Sequence, residues 1–294
     1  MNKILWLVAA CLGLFACKTT KTSKTPPPNE NALLWKISGK GLAQPSWLYG
    51  TIHMICAADF VISDSLKSAF RQANKIYLEL DMDDPQMDAK MLRLSVNKGK
   101  KLTDIFNKED YAKLNNFFRD TIGVPLALLN PLKPITLLSL IYLKGLPCTQ
   151  QESYEMNFVK MAKDQHKEIE GLESLEDQFS AFDKIPDEQQ AKMIMDLVNN
   201  YHDQKAEFEK MIQNYKSQNL QALQDEIEKS PDMKGQEEVL LINRNKNWIP
   251  KIDSAAHRQP TLFAVGAGHL GGEYGLIKLL RKQGFTLTPV KQLP

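Results

Sequence analysis

The sequence has little cysteine, four residues in 294, and little histidine, five. It has no bias towards charge of one sign: 37 Lys and Arg stand against 35 Asp and Glu, a net charge of +2. No basic block follows residue 30. A phosphate backbone therefore finds no positive face, and nucleic acid is excluded as a partner. After residue 16 no apolar run is long enough to cross a bilayer. Low-complexity sequence is also absent after residue 30. What is left, residues 31–294, is large for one domain but long enough for a sizeable core.

The N-terminus is the exception to the missing apolar runs. Lys3 supplies a positive charge, and Ile4 to Phe15 is almost unbroken apolar sequence. That length suits the hydrophobic segment of an export signal and is short for a span. It ends in Leu14-Phe15-Ala16-Cys17, a small residue and then Cys, which resembles the lipobox of bacterial lipoproteins. Residues 1–16 read as a signal peptide and Cys17 as the lipid-carrying start of the mature chain. Cys11, after Val8-Ala9-Ala10, is a rival with a much shorter apolar run. Residues 17–30 read as a lipidated tether, stiffened at Pro26 to Pro28. The expected location is the cell envelope, with the only membrane contact through the N-terminal lipid. Lys18 rather than Asp after the Cys points to the outer membrane, and the lack of an acidic run after Cys17 points to its periplasmic side.

With Cys11 removed and Cys17 lipidated, two cysteines remain, Cys56 and Cys148. An isolated pair in an oxidising compartment reads as a disulfide, which needs Cα atoms within about 7 Å. A catalytic cysteine is the alternative, but no His lies in a nucleophile pattern near either one.

The two ends of the domain look alike. Trp47 to Ile52 reads as a strand running into a turn at His53. Ser63 can cap a helix through Phe70, and Ile76 to Leu80 reads as the next strand. Near the end, Leu262 to Val265 is a strand, Gly266-Ala267-Gly268-His269 a turn, and Leu276 to Leu280 one face of a helix capped by Gly284. Phe285 to Val290 is another strand. Each end is strand, G-x-x-H turn, helix, strand, a unit that normally makes a parallel pair. The fold class is therefore α/β: duplicated units on a central sheet, with a large, mostly helical insertion at about 86–257. Within it, helices are expected from Asn107 to Asp120, over Ile135 to Leu143, from Ser153 through Lys167, from Pro186 to Asn214 and over Gln236 to Ile249. Ile169 to Glu173 reads as a short strand. The insertion is either a separate lobe or an elaborate crossover.

The chemistry follows from the scarce histidines. Two of the five, His53 and His269, have Gly three positions earlier and sit just past a core strand. In open α/β sheets ligands bind outside the carboxyl ends of strands. His166, His202 and His257 lie in polar sequence and read as solvated. In Tyr77-Leu78-Glu79-Leu80-Asp81, alternation puts Glu79 beside Tyr77 and Asp81, opposite the leucines. A carboxylate there is costly to bury unless paired or metal-bound. Two neutral imidazoles and one carboxylate match a metal site with an open position for water. They equally match a metal-free acid/base cluster. Glu173 can join the site. Arg244, next to Asn245 in a polar break of an apolar helix, can bind a carboxylate or an oxyanion, or make a structural ion pair.

These pieces together resemble the TraB/GumN family, which includes the Tiki-type metalloproteases. The matching segments are Leu34-Trp35-Lys36-Ile37, Gly50-Thr51-Ile52-His53, Leu78-Glu79-Leu80-Asp81, Ser153-Tyr154, Gly171-Leu172-Glu173, Arg244-Asn245 and Val265-Gly266-Ala267-Gly268-His269. The family is similar to a wider group with a duplicated α/β core that includes erythromycin-esterase-like and haem-uptake proteins. The resemblance implies a metal-dependent hydrolase acting on a peptide or protein substrate. His53, Glu79 and His269 would hold a divalent ion (Mn, Co or Zn), with Glu173 or Arg244 assisting. The alternatives are a non-catalytic protein that captures a peptide or other ligand in the same cleft, and a metal-free esterase-like hydrolase using His53 or Glu79 as base.

Overall fold

The central strand segments Ser46–Thr51 and Thr261–Gly266 are nearly continuous apolar runs, so each has two faces to bury. In the computed structural model, which describes residues 30–230 and 233–291, both faces are covered. The expected signal peptide, Cys11, Cys17 and the tether as far as Asn29 lie outside the described residues. Among the described residues there are eight strands: β1 (Leu34–Gly39), β2 (Ser46–Thr51), β3 (Ile55–Cys56), β4 (Lys75–Leu78), β5 (Gln151–Glu152), β6 (Glu168–Gly171), β7 (Thr261–Gly266) and β8 (Phe285–Val290). Six make one sheet in the order β6-β4-β7-β2-β1-β8, and β3 pairs with β5 in a separate ribbon. β6, β4, β7 and β2 are parallel in a row, while β1 runs antiparallel to both β2 and β8.

Thirteen α-helices are described: α1 (Asp64–Gln72), α2 (Met87–Ser95), α3 (Leu102–Ile105), α4 (Lys108–Phe117), α5 (Leu126–Leu129), α6 (Pro134–Gly145), α7 (Tyr154–Asp164), α8 (Leu175–Phe182), α9 (Asp187–Asn199), α10 (Tyr201–Lys216), α11 (Leu220–Lys229), α12 (Asn243–Arg258) and α13 (Leu276–Lys282). On one side of the sheet, Tyr49, Ile76, Leu78, Leu262 and Ala264 pack on Leu66 and Phe70 of α1, Tyr154 and Phe158 of α7, and Ile212 and Tyr215 of α10. On the other, Trp35, Leu48, Tyr77, Phe263 and Val265 pack on Trp248 and Ile252 of α12 and Leu276 and Leu280 of α13. Full burial of a Leu or Phe side chain contributes about 1.5–3 kcal/mol, so β7, at most 1% exposed from Thr261 to Val265, anchors both layers.

Both expected units exist, but they are interleaved. β7 lies between β2 and β4, and β2 with β1 lies between β7 and β8. The register pairs Thr51 with Gly266, so the two G-x-x-H turns leave the same sheet edge side by side.

The insertion is divided rather than being one lobe or one crossover. α3, α4, α5, α6 and α9 enclose a separate core around Leu114, Phe118, Leu137 and Ile194. α7, α10 and α12 instead cover the sheet, and β6 joins it as an edge strand. Several helix bounds also differ from expectation. The segment from Pro186 to Asn214 is two helices, interrupted at Asn200, because Tyr201 turns to meet Phe117 and the α6 end. The helix capped by Asn107 finishes in a wider π-type turn, Phe118–Ile122, closed by Gly123 with φ 85°. The helix opened by Ser153 stops at Asp164, because the backbone reverses through His166 at φ 52° to enter β6.

Candidate active site

Four parallel strands end in a row on one edge, and each delivers a chemically active residue just past its end. The order across the edge is β6 with Glu173, β4 with Glu79, β7 with His269 and β2 with His53. Glu79 lies one residue beyond β4 rather than inside it. The backbone still carries the pairing onwards: Leu172 and Glu173 donate to the carbonyls of Leu78 and Glu79. His269 lies in a short 3-10 turn, Ala267–His269, directly after β7.

Glu79 is buried, and its carboxylate faces two ways. Oε2 accepts from Arg244 Nη2 at 2.6 Å, and Oε1 accepts from the Gly266 amide at 2.8 Å. Burial opposes a charge here, but Arg244, His269 and His53 outweigh it and hold the carboxyl well below the usual range. Oε1 is also 3.8 Å from His269 Nε2. A Cβ added to Gly266 would sit 3.3 Å from Glu79 Oε1 and 3.4 Å from His53 Nε2. The bare glycine thus borders Glu79 and His53 together, and His269 approaches the same Glu79 oxygen.

Each imidazole is tied by its far nitrogen. His269 Nδ1 lies 2.7 Å from Asn245 Oδ1, while the amide nitrogen of Asn245 donates to the carbonyls of His269 and Tyr274. Because that amide nitrogen is engaged with two carbonyls, Oδ1 is left to accept, and Nδ1 of His269 carries the proton. Burial lowers His269 to about 3, so the ring is neutral and Nε2 keeps its lone pair. His53 Nδ1 lies 2.9 Å from Glu155 Oε1. Desolvation opposes charge on His53, but Glu155 prevails and raises the ring to about 9. Its side chain is 66% exposed, so water weakens both effects, and the short carboxylate contact decides the upward direction.

Arg244 is the hub. A π-type turn, Glu238–Ile242, leads into α12 and leaves the Leu240 carbonyl to accept from Nη1. Nε and Nη2 fork onto Glu173 Oε1 at 3.0 and 2.6 Å, and Nη1 is 3.2 Å from His269 Nε2. Burial pushes Glu173 up and the nearby Glu79 charge adds to this, against the pull of Arg244 and Trp248. Trp248 donates to Glu173 Oε2 at 3.1 Å and lies 4.5 Å, ring to ring, from His269. A cavity of about 310 Å³ opens beside Glu173, bordered by Asp81, Asp84 and Lys251.

His53, Glu79, His269, Glu173 and Arg244, all singled out in the sequence, come together here. His166, His202 and His257 are exposed elsewhere, as expected. Glu155, Trp248 and the bridging role of Asn245 were not expected. Glu155 follows the Ser153-Tyr154 segment by one residue, but an acid in a helix's first turn is commonplace and carries no mark of a site. Cys56 and Cys148 form the expected disulfide, with Cα atoms 5.8 Å apart. Cys56 follows His53 by three residues and lies in β3, so the bond and the β3–β5 pairing hold the His53 turn against the start of α7.

Among the described residues no group of three or more His, Cys, Asp or Glu forms a ready-made metal cage. Arg244 accounts for part of this, since it takes Glu79 Oε2 and stands beside His269 Nε2. The donor chemistry nonetheless suits a divalent ion: two imidazoles with far nitrogens held by acceptors, one carboxylate oxygen, and a space that a Cβ would fill.

The fold and edge define a mixed α/β protein with a paired-histidine, acid and arginine site. The chain belongs to the TraB/PrgY/gumN family, whose profile matches residues 33–289. It is similar to the Danio rerio protein named Metalloprotease TIKI1, with 34% identity over 101 residues, covering 33% of this chain and 19% of that protein. The chain thus spans about a fifth of that relative's length. No solved structure matches it.

Proposed function

We propose that this protein is a metal-dependent hydrolase, acting as a peptidase on peptide or protein substrates at the carboxyl edge of its sheet. The observation that carries the reading is that His53 Nε2 and Glu79 Oε1 meet beside Gly266, with His269 Nε2 3.8 Å from the same Glu79 oxygen and the opposite nitrogen of each ring tied to an acceptor. His53, Glu79 and His269 would hold the ion, and manganese, cobalt or zinc all suit that donor set. When bound, such an ion polarises a carbonyl and makes water a stronger acid. The chain's own groups do the rest. Arg244 neutralises the two buried carboxylates and holds Glu79 and Glu173 in fixed orientations beside His269. Glu173, pushed up by burial, is the carboxyl best placed to hold or pass a proton beside the cavity. The partial similarity to a protein named a metalloprotease supports the same reading.

The test is metal analysis of residues 31–294 purified without added metal or chelator, then turnover of a peptide library with and without chelator. About one equivalent of a divalent ion, lost in His53→Ala and His269→Ala while both stay folded, is expected. A second reading is favoured by the 2.6 Å Arg244–Glu79 ion pair, which occupies Glu79 Oε2 without an ion: a metal-free hydrolase with His53 as base. Chelator-insensitive turnover would select it, and ligand binding without turnover would select a capture protein.

We further infer an envelope location, with residues 1–16 as the export signal, Cys17 lipidated and residues 17–30 as tether. The motif around Ala16-Cys17 supports this, as does the disulfide, since such bonds persist in oxidising compartments. Among the described residues no helix is long and apolar enough to cross a membrane. Lipid labelling that survives Cys17→Ser would move the attachment elsewhere.

A further inference from the structure

His53 presents a positioning problem. Its side chain is 66% exposed, so packing does little to fix the ring. Yet Nε2 must face Gly266 and Glu79 for His53 to belong to the site. The constraint comes from Glu155, in the first turn of α7, whose side chain is only 12% exposed. Glu155 Oε1 accepts from Thr51 Oγ1 at 2.7 Å as well as from His53 Nδ1, and Oε2 accepts from Ser153 Oγ at 3.1 Å. Thr51 ends β2, and Ser153 is the N-cap of α7, so each oxygen is aligned by a fixed element. An ionised carboxylate only accepts, so the nitrogen facing it must carry a proton. In the neutral ring the other nitrogen is then the one that can accept, as in the carboxylate–histidine pairs that support metal and catalytic imidazoles.

We propose that Glu155 is a positioning residue for His53: it fixes Nδ1 as the protonated nitrogen and keeps Nε2 turned to the space beside Gly266. Glu155 does for His53 what Asn245 does for His269, from the opposite layer of the fold. The segments carrying the pair are joined independently of the side chains. Ile55 pairs with Glu152, the Ala57 amide donates to the Gln150 carbonyl, and Cys56 is bonded to Cys148. The ring orientation is a matter of geometry, whereas its catalytic use rests on the hydrolase reading above.

Long-range 1H–15N spectra of the full, oxidised chain labelled at histidine report the tautomer directly. His53 is assigned by the signals lost in His53→Gln. At a pH where the ring is neutral, His53 is expected as the Nδ1–H tautomer. Glu155→Gln, whose amide oxygen can accept the same bond, should keep it. Glu155→Ala should release the ring to the Nε2–H form or a mixture, and Glu155→Met serves if the alanine variant does not fold. An unchanged Nδ1–H signal in a folded Glu155→Ala or Glu155→Met variant would overturn the proposal. Where turnover is found, the same variants should lower kcat about 10- to 100-fold with little change in KM. The tautomer changing as expected in a chain with neither metal nor turnover would leave the positioning role standing and remove the hydrolase reading. Turnover that survives with the tautomer untouched would do the reverse.

Discussion

The two motif glycines look equivalent and are not. A Cβ on Gly50 would meet Leu270 Cδ1 at 2.6 Å and the Ala267 Cα at 3.1 Å, inside the packed core. A Cβ on Gly266 would press on Glu79 and His53, and the Gly266 backbone, at φ −51°, suits any residue. Gly50→Ala should therefore destabilise the fold by roughly 2–3 kcal/mol, and Gly266→Ala by about 1 kcal/mol while removing ligand binding at the edge. Urea unfolding of both variants, with metal analysis, separates them; equal losses of stability would contradict the division. Arg244 is the residue with most to lose. Its side chain is 11% exposed between Glu79 at 10% and Glu173 at 8%. Arg244→Met leaves two buried carboxylates without their cation, which should cost about 3–5 kcal/mol. An unfolding midpoint within error of the parent chain would show that the ion pairs are not needed for stability.

At the scale of elements, the disulfide joins residues 92 apart in sequence, across the ribbon next to His53. The chain-entropy account assigns a loop of that size about 4.6 kcal/mol. Cys148→Ser should lower stability by up to that amount and loosen the His53 turn more than the β8 edge. Melting and hydrogen exchange at Ile55 and Cys56 check it, and two free thiols in chain folded under oxidising conditions would rule the bond out. The elements themselves were largely readable. Gly and His at the ends of apolar segments marked β2 and β7, Ser63, Asn107 and Ser153 marked helix starts, and Gly284 marked an end. Other features left no local trace. Asn200 interrupts a polar helical run without Gly or Pro, because packing of Tyr201 decides the break. Glu155 looks like any first-turn acid until Thr51 and His53 arrive from β2. The interleaving of β7 between β2 and β4 depends on partners far apart in sequence, to which alternation within a strand is blind.

At the scale of the molecule, the separate core of α3 to α6 and α9 shares few residues with the layers around the sheet. Such units open on their own. Under native-state exchange with increasing denaturant, amides of Leu114, Leu137 and Ile194 should exchange at lower free energy than those of Leu48 and Phe263. A single common opening energy for both sets would mean that the lobe and sheet unfold together.

The interleaved sheet also sets an order of events during synthesis. β2 and β4 are made early, yet neither pairs with the other, and the strand that joins them begins only at Thr261. Until almost the whole chain has emerged, Leu48, Tyr49, Ile76 and Tyr77 lack the β7 neighbours that bury them. Long-range pairing of this kind makes folding slow and leaves apolar edges open in the meantime. Chains ending before Thr261 should therefore remain protease-sensitive through β2 and β4, whereas chains reaching Val290 resist. A nascent chain held open in this way would also still be loose enough to be threaded across a membrane after most of it has been made.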